Sequence, residues 1–483
     1  MTYTFKTEPF AHQQKEYDYS KELVERGIFW EQGCGKSKIT LDTAGHMEDC
    51  KEIDGLLVIA PNGVHLNWLT DEIPSHLPDD LVDRTQMHSY QSKKAKTKKH
   101  DRACEKVLKH KGFSVLTMTY DAIMTAKGAK LARQFFDERR VLQVLDESPR
   151  VKNPSAKRTI RVLASGKHAS HRRILTGTPV ANGPFDVYSQ IKFLNPDYWK
   201  PHGLDSYSAF KATFGIFKTM TDPNSGRDFQ MVVAYRNLPY LNQLLEPISS
   251  RVTKEDVLDL PPKLYSRRCF EMTPEQKRLY AQLKDDFEAE LLTGEYIAAP
   301  LAIVRMLRFQ QVTCGYLPVE DDHDPMRLIG EHNPRMSTLM EICEDLPHGC
   351  IIWARFTKDI DLIMEALGDK AVRYDGQVSD DDRAIAKKQF QDGKKQFFVA
   401  NPAAGAEGIT LTIAKTVIYY NNSFKLTDRL QSEDRAHRIG QEDPVHYIDI
   451  VADGTIDEKI TESLVKKHNI ASTIIGDRLK DWI

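Results

Sequence analysis

The chain has 483 residues, too many for one hydrophobic core, so two or more domains are expected. Its 67 Lys and Arg against 69 Asp and Glu leave a formal charge of −2, which excludes a uniformly basic coat for nucleic acid but not a local basic groove. With 41% hydrophobic and 28% charged residues the composition is that of an ordinary globular protein, and the longest apolar runs, such as 56–60, are strand-sized rather than membrane-spanning. The first residues, Met1-Thr2-Tyr3-Thr4-Phe5-Lys6, carry no apolar run with a cleavage site. Seven scattered cysteines without a Cys-x-x-Cys pair predict reduced thiols, so a cytoplasmic setting is expected. Cys343, His348 and Cys350 lie close in sequence, but no fourth ligand accompanies them and zinc is not expected there.

In chain order, buried strands are predicted at Gly55–Ala60, 113–118, 141–145 and 173–176, each a short apolar run. Helical stretches lie between them, which predicts a parallel sheet covered by helices, with its chemistry beyond the carboxyl ends of the strands. Residues 93–111 form a biased segment dense in Lys. From about 184 to 311 strand signals thin and helices dominate, for example 273–292, where Thr273-Pro274-Glu275-Gln276 reads as a capped start. A second alternating region follows, with strands at 350–354, 396–400, 416–420 and 446–450. The fold class is therefore α/β with two parallel-sheet lobes. We place the first at 1–250, with a helical insertion from about 184. The second is placed at 251–483, with a helical protrusion at about 264–311 and a C-terminal helix.

Trp30-Glu31-Gln32-Gly33-Cys34-Gly35-Lys36-Ser37 opens a predicted helix. Two glycines let the backbone wrap a phosphate chain, Lys36 supplies a cation, and the Ser37 hydroxyl suits Mg2+. Trp30 stands where the full phosphate-loop pattern has its first glycine, and alone the segment also fits a glycine turn before a surface lysine. Asp146-Glu147 ends a buried strand and suits a Mg2+ ligand beside a residue that orients attacking water, although an acidic turn reads the same way in isolation. Arg435 and Arg438 are three apart, so on a helix they share one face and present two guanidinium forks to a phosphate.

Together these blocks resemble the Swi/Snf-type helicase-like ATPases of helicase superfamily two, in a compact form like bacterial or bacteriophage members. Phe10-Ala11-His12-Gln13 resembles the adenine-reading segment, with Gln13 as base contact. Residues 60–68 and 117–121 resemble the first nucleic-acid-contacting blocks. Residues 145–153 resemble the Asp-Glu-x-His box, and Leu175-Thr176-Gly177-Thr178-Pro179 the coupling motif. Lys254-Glu255-Asp256-Val257 with Leu260-Pro261-Pro262-Lys263 resembles the passage out of the first lobe. Residues 403–411 resemble the Gly-x-Glu-Gly-Ile-Asn-Leu block with Thr410 for Asn, and 434–441 match the arginine motif residue for residue. Pro149 stands in place of the box His, which places the link to the coupling motif in question, and Ser37 replaces the usual Thr.

The resemblance implies two RecA-like lobes with ATP and Mg2+ bound between them. Gln13, Gly33, Cys34, Gly35, Lys36, Ser37, Gly408, Arg435 and Arg438 would hold the nucleotide, and Ser37 and Asp146 the metal. Lys36, Asp146, Glu147, Arg435 and Arg438 would act in hydrolysis. It further implies a monomeric, DNA-associated motor that translocates on double-stranded DNA, forked or branched forms included, remodels DNA or protein–DNA complexes, and contacts the DNA through Asn62, Thr119, Gly408 and Thr410. The segment 93–111 fits a further phosphate contact or a solvated basic helix. A strand-separating helicase and an ATP-gated DNA clamp with weak turnover stay open as alternatives.

Overall fold

A computed structural model describes residues 3–221, 228–292, 299–318, 326–403 and 409–477. In chain order it lays down β1 (Glu25–Trp30), β2 (Gly55–Ala60), β3 (Gln86–Tyr90), β4 (Ser114–Thr119), β5 (Val141–Asp146), β6 (His171–Leu175), β7 (Gly215–Thr221), β8 (Asp228–Tyr235) and β9 (Ser249–Val252). Then come β10 (Lys263–Phe270), β11 (Tyr316–Pro318), β12 (Met326–Leu328), β13 (Cys350–Trp353), β14 (Ala371–Tyr374), β15 (Phe397–Ala400), β16 (Thr416–Tyr419) and β17 (Val445–Ala452).

The chain divides into two compact units. One runs through Gly215 and includes Tyr235–Asp259 and the described residues from Ile470; the other holds Ile216–Ala234 and Leu260–Asn469. The first contains a seven-stranded parallel sheet in the order β3-β4-β2-β5-β6-β1-β9. Every residue of β2 is buried, as a strand covered by helices on both faces requires. Ile28, Trp30, Leu56, Val58, Val144 and Leu175 pack in one core with Ile39, Leu41 and Met47 of the helix Lys36–Asp49. Each such side chain contributes about 1.5–3 kcal/mol on burial, so the strand ends are held in fixed register.

The second unit contains a six-stranded parallel sheet, β10-β17-β16-β13-β15-β14. The helix predicted at 273–292 is present as Pro274–Leu292. Its start is a reciprocal cap: Thr273 Oγ1 accepts the Gln276 N–H, and Gln276 Oε1 accepts the Thr273 N–H.

The middle of the chain is less helical than the sequence suggested. The helices Val187–Leu194, Tyr207–Phe214 and Leu238–Leu245 are accompanied there by the two-stranded sheet β7–β8 and by β9 and β10. β10 occupies 263–270, where a helical protrusion was expected from 264. It pairs with β17 over its full length but is an edge strand with exposed and half-buried residues, so no apolar run announces it. β9 carries residues 251 and 252 into the first sheet, beyond the expected lobe end at 250. Among the described residues no helix is long and apolar enough to cross a membrane.

Candidate functional site

In the first unit, three neighbouring strands carry the motifs picked out in the sequence. β1, β6 and β5 lie side by side, and the phosphate loop, the coupling motif and the Asp-Glu box leave their carboxyl ends. The loop turns on Gly33 (φ +87°) and Gly35 (φ +84°), left-handed positions that favour glycine. A Cβ on Gly35 would fall 2.0 Å from Gln13 Nε2, so a side chain there would displace the Gln13 amide. No side chain caps the helix Lys36–Asp49, which leaves its first-turn N–H groups for an anion. Lys36 Nζ donates to the carbonyls of Trp30 (3.0 Å) and Glu31 (3.2 Å), which places the ammonium inside the loop.

Gln13 does not present an open amide. It is buried, its Oε1 accepts the Phe10 N–H, and its Nε2 faces the Cys34 carbonyl at 3.4 Å. His12 Nε2 donates to the same carbonyl at 2.9 Å, so this segment braces the loop from behind. From the other side, Arg251 on β9 donates to the Phe29 carbonyl at 2.6 Å and pairs with Asp477 at 2.7 Å, while Glu31 accepts the Lys254 N–H.

Asp146 closes β5, half-buried, and its Oδ2 accepts the Trp68 indole N–H at 2.9 Å. Desolvation pushes the Asp146 carboxyl up, and the indole donor and the Lys36 charge pull it back. Trp68 begins a π-helical turn, Trp68–Glu72, whose last residue meets the Ser37 hydroxyl. Desolvation and the neighbouring Asp146 charge raise the Glu72 carboxyl. Ser37, Asp146 and Glu72 thus form a set of hard oxygen donors with concentrated negative charge, the chemistry that suits Mg2+. Glu72 and the Trp68 donor were not anticipated from the sequence, where Trp68 was grouped with a nucleic-acid block; the added residue of a π turn leaves no sequence pattern.

Glu147 adopts φ +54°, ψ +57°, an uncommon backbone for a residue with a side chain. Its Oε2 accepts the Thr176 hydroxyl at 3.3 Å, a direct link from box to coupling motif. A second link runs from the Ser148 hydroxyl to Gln190 Oε1 at 2.7 Å, and from Gln190 Nε2 to the Pro179 carbonyl at 2.8 Å. The connection that Pro149 placed in question is therefore made without the box histidine. Gln190, which carries part of it, lies on the helix Val187–Leu194 and was not singled out from the sequence.

In the second unit, the arginine motif differs from the expected helix face. The helix Leu426–Glu433 ends before it, and Arg435 and Arg438 lie in the following turn. They converge nonetheless: both reach the Ile409 carbonyl at 3.4 Å, and Arg438 donates to Thr410 Oγ1 at 3.0 Å. Glu433, just before the motif, and two further motif residues fix that turn. Buried Glu433 accepts from Arg429 (2.8 Å), Lys263 (2.9 Å) and Tyr265 (2.9 Å), His437 donates to the Pro261 carbonyl, and Gln441 donates to the Thr412 and Ala414 carbonyls. Despite burial, the Lys263 and Arg429 charges hold Glu433 down at about 2.

Of the expected nucleic-acid contacts, Asn62 is exposed just past β2, and half-buried Thr119 ends the neighbouring β4, its Oγ1 accepting the Ala122 N–H. The Thr410 hydroxyl is already engaged by Arg438, and Gly408 lies outside the described residues. None of the seven cysteines is in a disulfide. Cys343 and Cys350 lie in the second unit's core, and His348 bonds to Thr416.

β1, β5 and β6 thus present a glycine-rich loop, a carboxylate pair and a threonine hydroxyl side by side at one end of a parallel sheet. The chain belongs to the SNF2-related family: the family profile described as SNF2-related domain matches residues 11–314, and that of the helicase conserved C-terminal domain matches residues 334–440. It is 26% identical over 459 residues to the probable ATP-dependent DNA helicase CHR12 of Arabidopsis thaliana, covering 92% of this chain and 39% of that protein. It is 27% identical over 462 residues to the chromodomain-helicase-DNA-binding protein 1-like of Danio rerio, covering 92% and 41%. The chain thus spans about two fifths of the length of these relatives. A solved Sulfolobus solfataricus SWI2/SNF2 ATPase core in complex with dsDNA aligns over 99% of this chain and 96% of that one at 23% identity, with a TM-score of 0.42. The fold assignment rests instead on the two parallel sheets and the family match.

Proposed function

We propose that this protein hydrolyses ATP with Mg2+ in response to double-stranded DNA and uses the cycle to move along the duplex. The observation that carries this reading is the convergence, on β1, β5 and β6, of the phosphate loop, Asp146 and Glu147, with Thr176 bonded directly to Glu147. Gly33, Cys34 and Gly35 cradle the phosphates with backbone N–H groups, and Lys36 turns from its loop carbonyls onto the phosphate chain. Gln13 is assigned to the adenine, where it exchanges its loop contact for the base. Ser37 and Asp146 hold Mg2+, with Glu72 beside them, and the metal supplies charge neutralisation on the phosphates. Glu147 orients the attacking water and takes its proton. Arg435 and Arg438 stabilise the charge that develops on the transferred phosphoryl group, and Gly408 shares in nucleotide binding.

A change at the γ-phosphate moves Glu147, and Thr176 carries that movement to the segment 177–182. Asn62, Thr119, Gly408 and Thr410 are assigned to the DNA backbone, which makes the grip weakly sequence-specific and salt-sensitive. Pro149, the one feature favouring a weak-turnover clamp, leaves the Thr176–Glu147 link in place.

Strand separation is the second reading, and it draws on the two-stranded sheet β7–β8, whose Phe229, Met231 and Val233 are 38%, 45% and 44% exposed. Steady-state ATP hydrolysis with and without duplex DNA tests the leading proposal. We expect several-fold stimulation by duplex, declining as salt is raised; equal low turnover in both conditions would overturn it.

A further inference from the structure

The basic segment 93–111 and the Cys104 that it contains are given no role in ATP hydrolysis, and the structure sets that cysteine beside two histidines. The helix Lys98–Lys109 starts at Thr97, whose hydroxyl accepts the His100 N–H, and packs on β3 at the edge of the first sheet. Lys98, Lys99, Arg102, Lys106 and Lys109 are exposed; only His100, Cys104 and Val107, at i, i+4 and i+7, are buried. A stripe at that spacing ordinarily holds large aliphatic side chains. Here two of its three positions carry metal-ligating atoms, and β3 adds another. His88 Nε2 lies 3.1 Å from His100 Nδ1, and the ligating atoms of His88, His100 and Cys104 all lie within 4.8 Å of one another.

We propose that His88, His100 and Cys104 bind one borderline-soft divalent cation of the zinc type, which pins the basic helix to the β3 edge. In a tetrahedral zinc site the ligand atoms stand roughly 3.3–3.6 Å apart. The imidazole pair is close to that spacing, and the thiol lies within a side-chain adjustment of it. Desolvation takes the His88 imidazole down to about 4 and lowers His100 as well, which favours the neutral rings that ligate a metal. Burial pushes the Cys104 thiol up to about 11, so binding expels its proton to solvent and leaves the thiolate on the metal. His100 Nε2 faces the Gln91 N–H at 3.4 Å, and coordination through Nδ1 moves the ring proton to Nε2 and gives up that long contact. Half-buried His88 lies on the accessible side of the cluster, where water completes the coordination. Because so little of this helix is apolar and buried, a metal tie supplies the anchoring that packing does not.

The test titrates Co2+ into the full chain after chelator treatment, following the thiolate-to-cobalt charge-transfer band. We expect saturation at one equivalent, displacement of the band by Zn2+, and its loss in Cys104→Ser. Loss of an outer partner of a metal site already weakens binding about 10–100-fold, so His88→Gln, at a half-buried position tolerant of replacement, is expected to weaken Co2+ binding by more than tenfold. Cys343→Ser is expected to leave the titration unchanged. Absence of a saturating band, or a band that survives both Cys104→Ser and His88→Gln, would overturn the site and leave a hydrogen-bonded histidine pair as packing alone.

Discussion

At the residue scale, Glu147 is the pivot. Its left-handed backbone costs of order 1–3 kcal/mol for a residue with a side chain, and such strain persists where surrounding structure enforces it. Here Ser148 and Thr176 hold it from both sides of the turn. Glu147→Gln keeps the shape and removes the base, so turnover is expected to fall about 10²–10⁴-fold with ATP binding retained; unchanged hydrolysis would remove Glu147 from the mechanism. Asp146 supplies a pH signature. As the proposed Mg2+ ligand it must be ionised, and desolvation raises its carboxyl, so activity is expected to be lost as pH falls through that raised value. Trp68→Phe deletes the donor that opposes the rise. The acid limb of the pH–rate profile should then move to higher pH, and half-maximal activity should require about 10–100-fold more Mg2+. A limb that stays put or moves to lower pH would contradict the role given to Trp68. The loop and the box were legible in the sequence because phosphate and metal chemistry need particular residues at short spacing. Trp68, Glu72 and Gln190 were not, since each reaches its partner only through tertiary packing.

At the scale of elements, the strands read from the sequence are interior ones with apolar runs, as β2 and β13 show. The edge strands β3, β9, β10 and β14 were missed, because each pairs on one side only and mixes polar with apolar residues or is very short. β1 is interior yet was missed as well, since Glu25, Arg26 and Gly27 interrupt its apolar run. Spacing suggested that Arg435 and Arg438 share a helix face; they converge instead in a turn built by Glu433, His437 and Gln441. That turn depends on a buried ion network, and breaking such a pair typically costs about 3–5 kcal/mol. Glu433→Gln should therefore lower the stability of the second unit by about that amount. Its pH dependence has a definite sign. The folded carboxyl, at about 2, is depressed below the ordinary value of 4.5, so its contribution is full above 4.5 and is lost as pH falls toward 2. The Glu433→Gln variant should lose this part of the acid dependence; acid unfolding curves that run parallel for the two proteins would contradict the assignment.

At the scale of the whole molecule, the charge of −2 says little about DNA, because cationic residues are concentrated locally. The exposed Lys and Arg of the helix Lys98–Lys109 are one such face. Membership of the SNF2-related family and two parallel-sheet units, each carrying its own share of the motifs, support a motor that grips the duplex backbone. The measurement that tests this most directly is displacement of a triplex-forming third strand from double-stranded DNA, with the two duplex strands labelled separately. We predict ATP-dependent release of the third strand by the native protein, no release by Glu147→Gln, and an intact duplex throughout. Steady ATP hydrolysis with the third strand left in place, or release of the duplex strands themselves, would contradict translocation along duplex DNA.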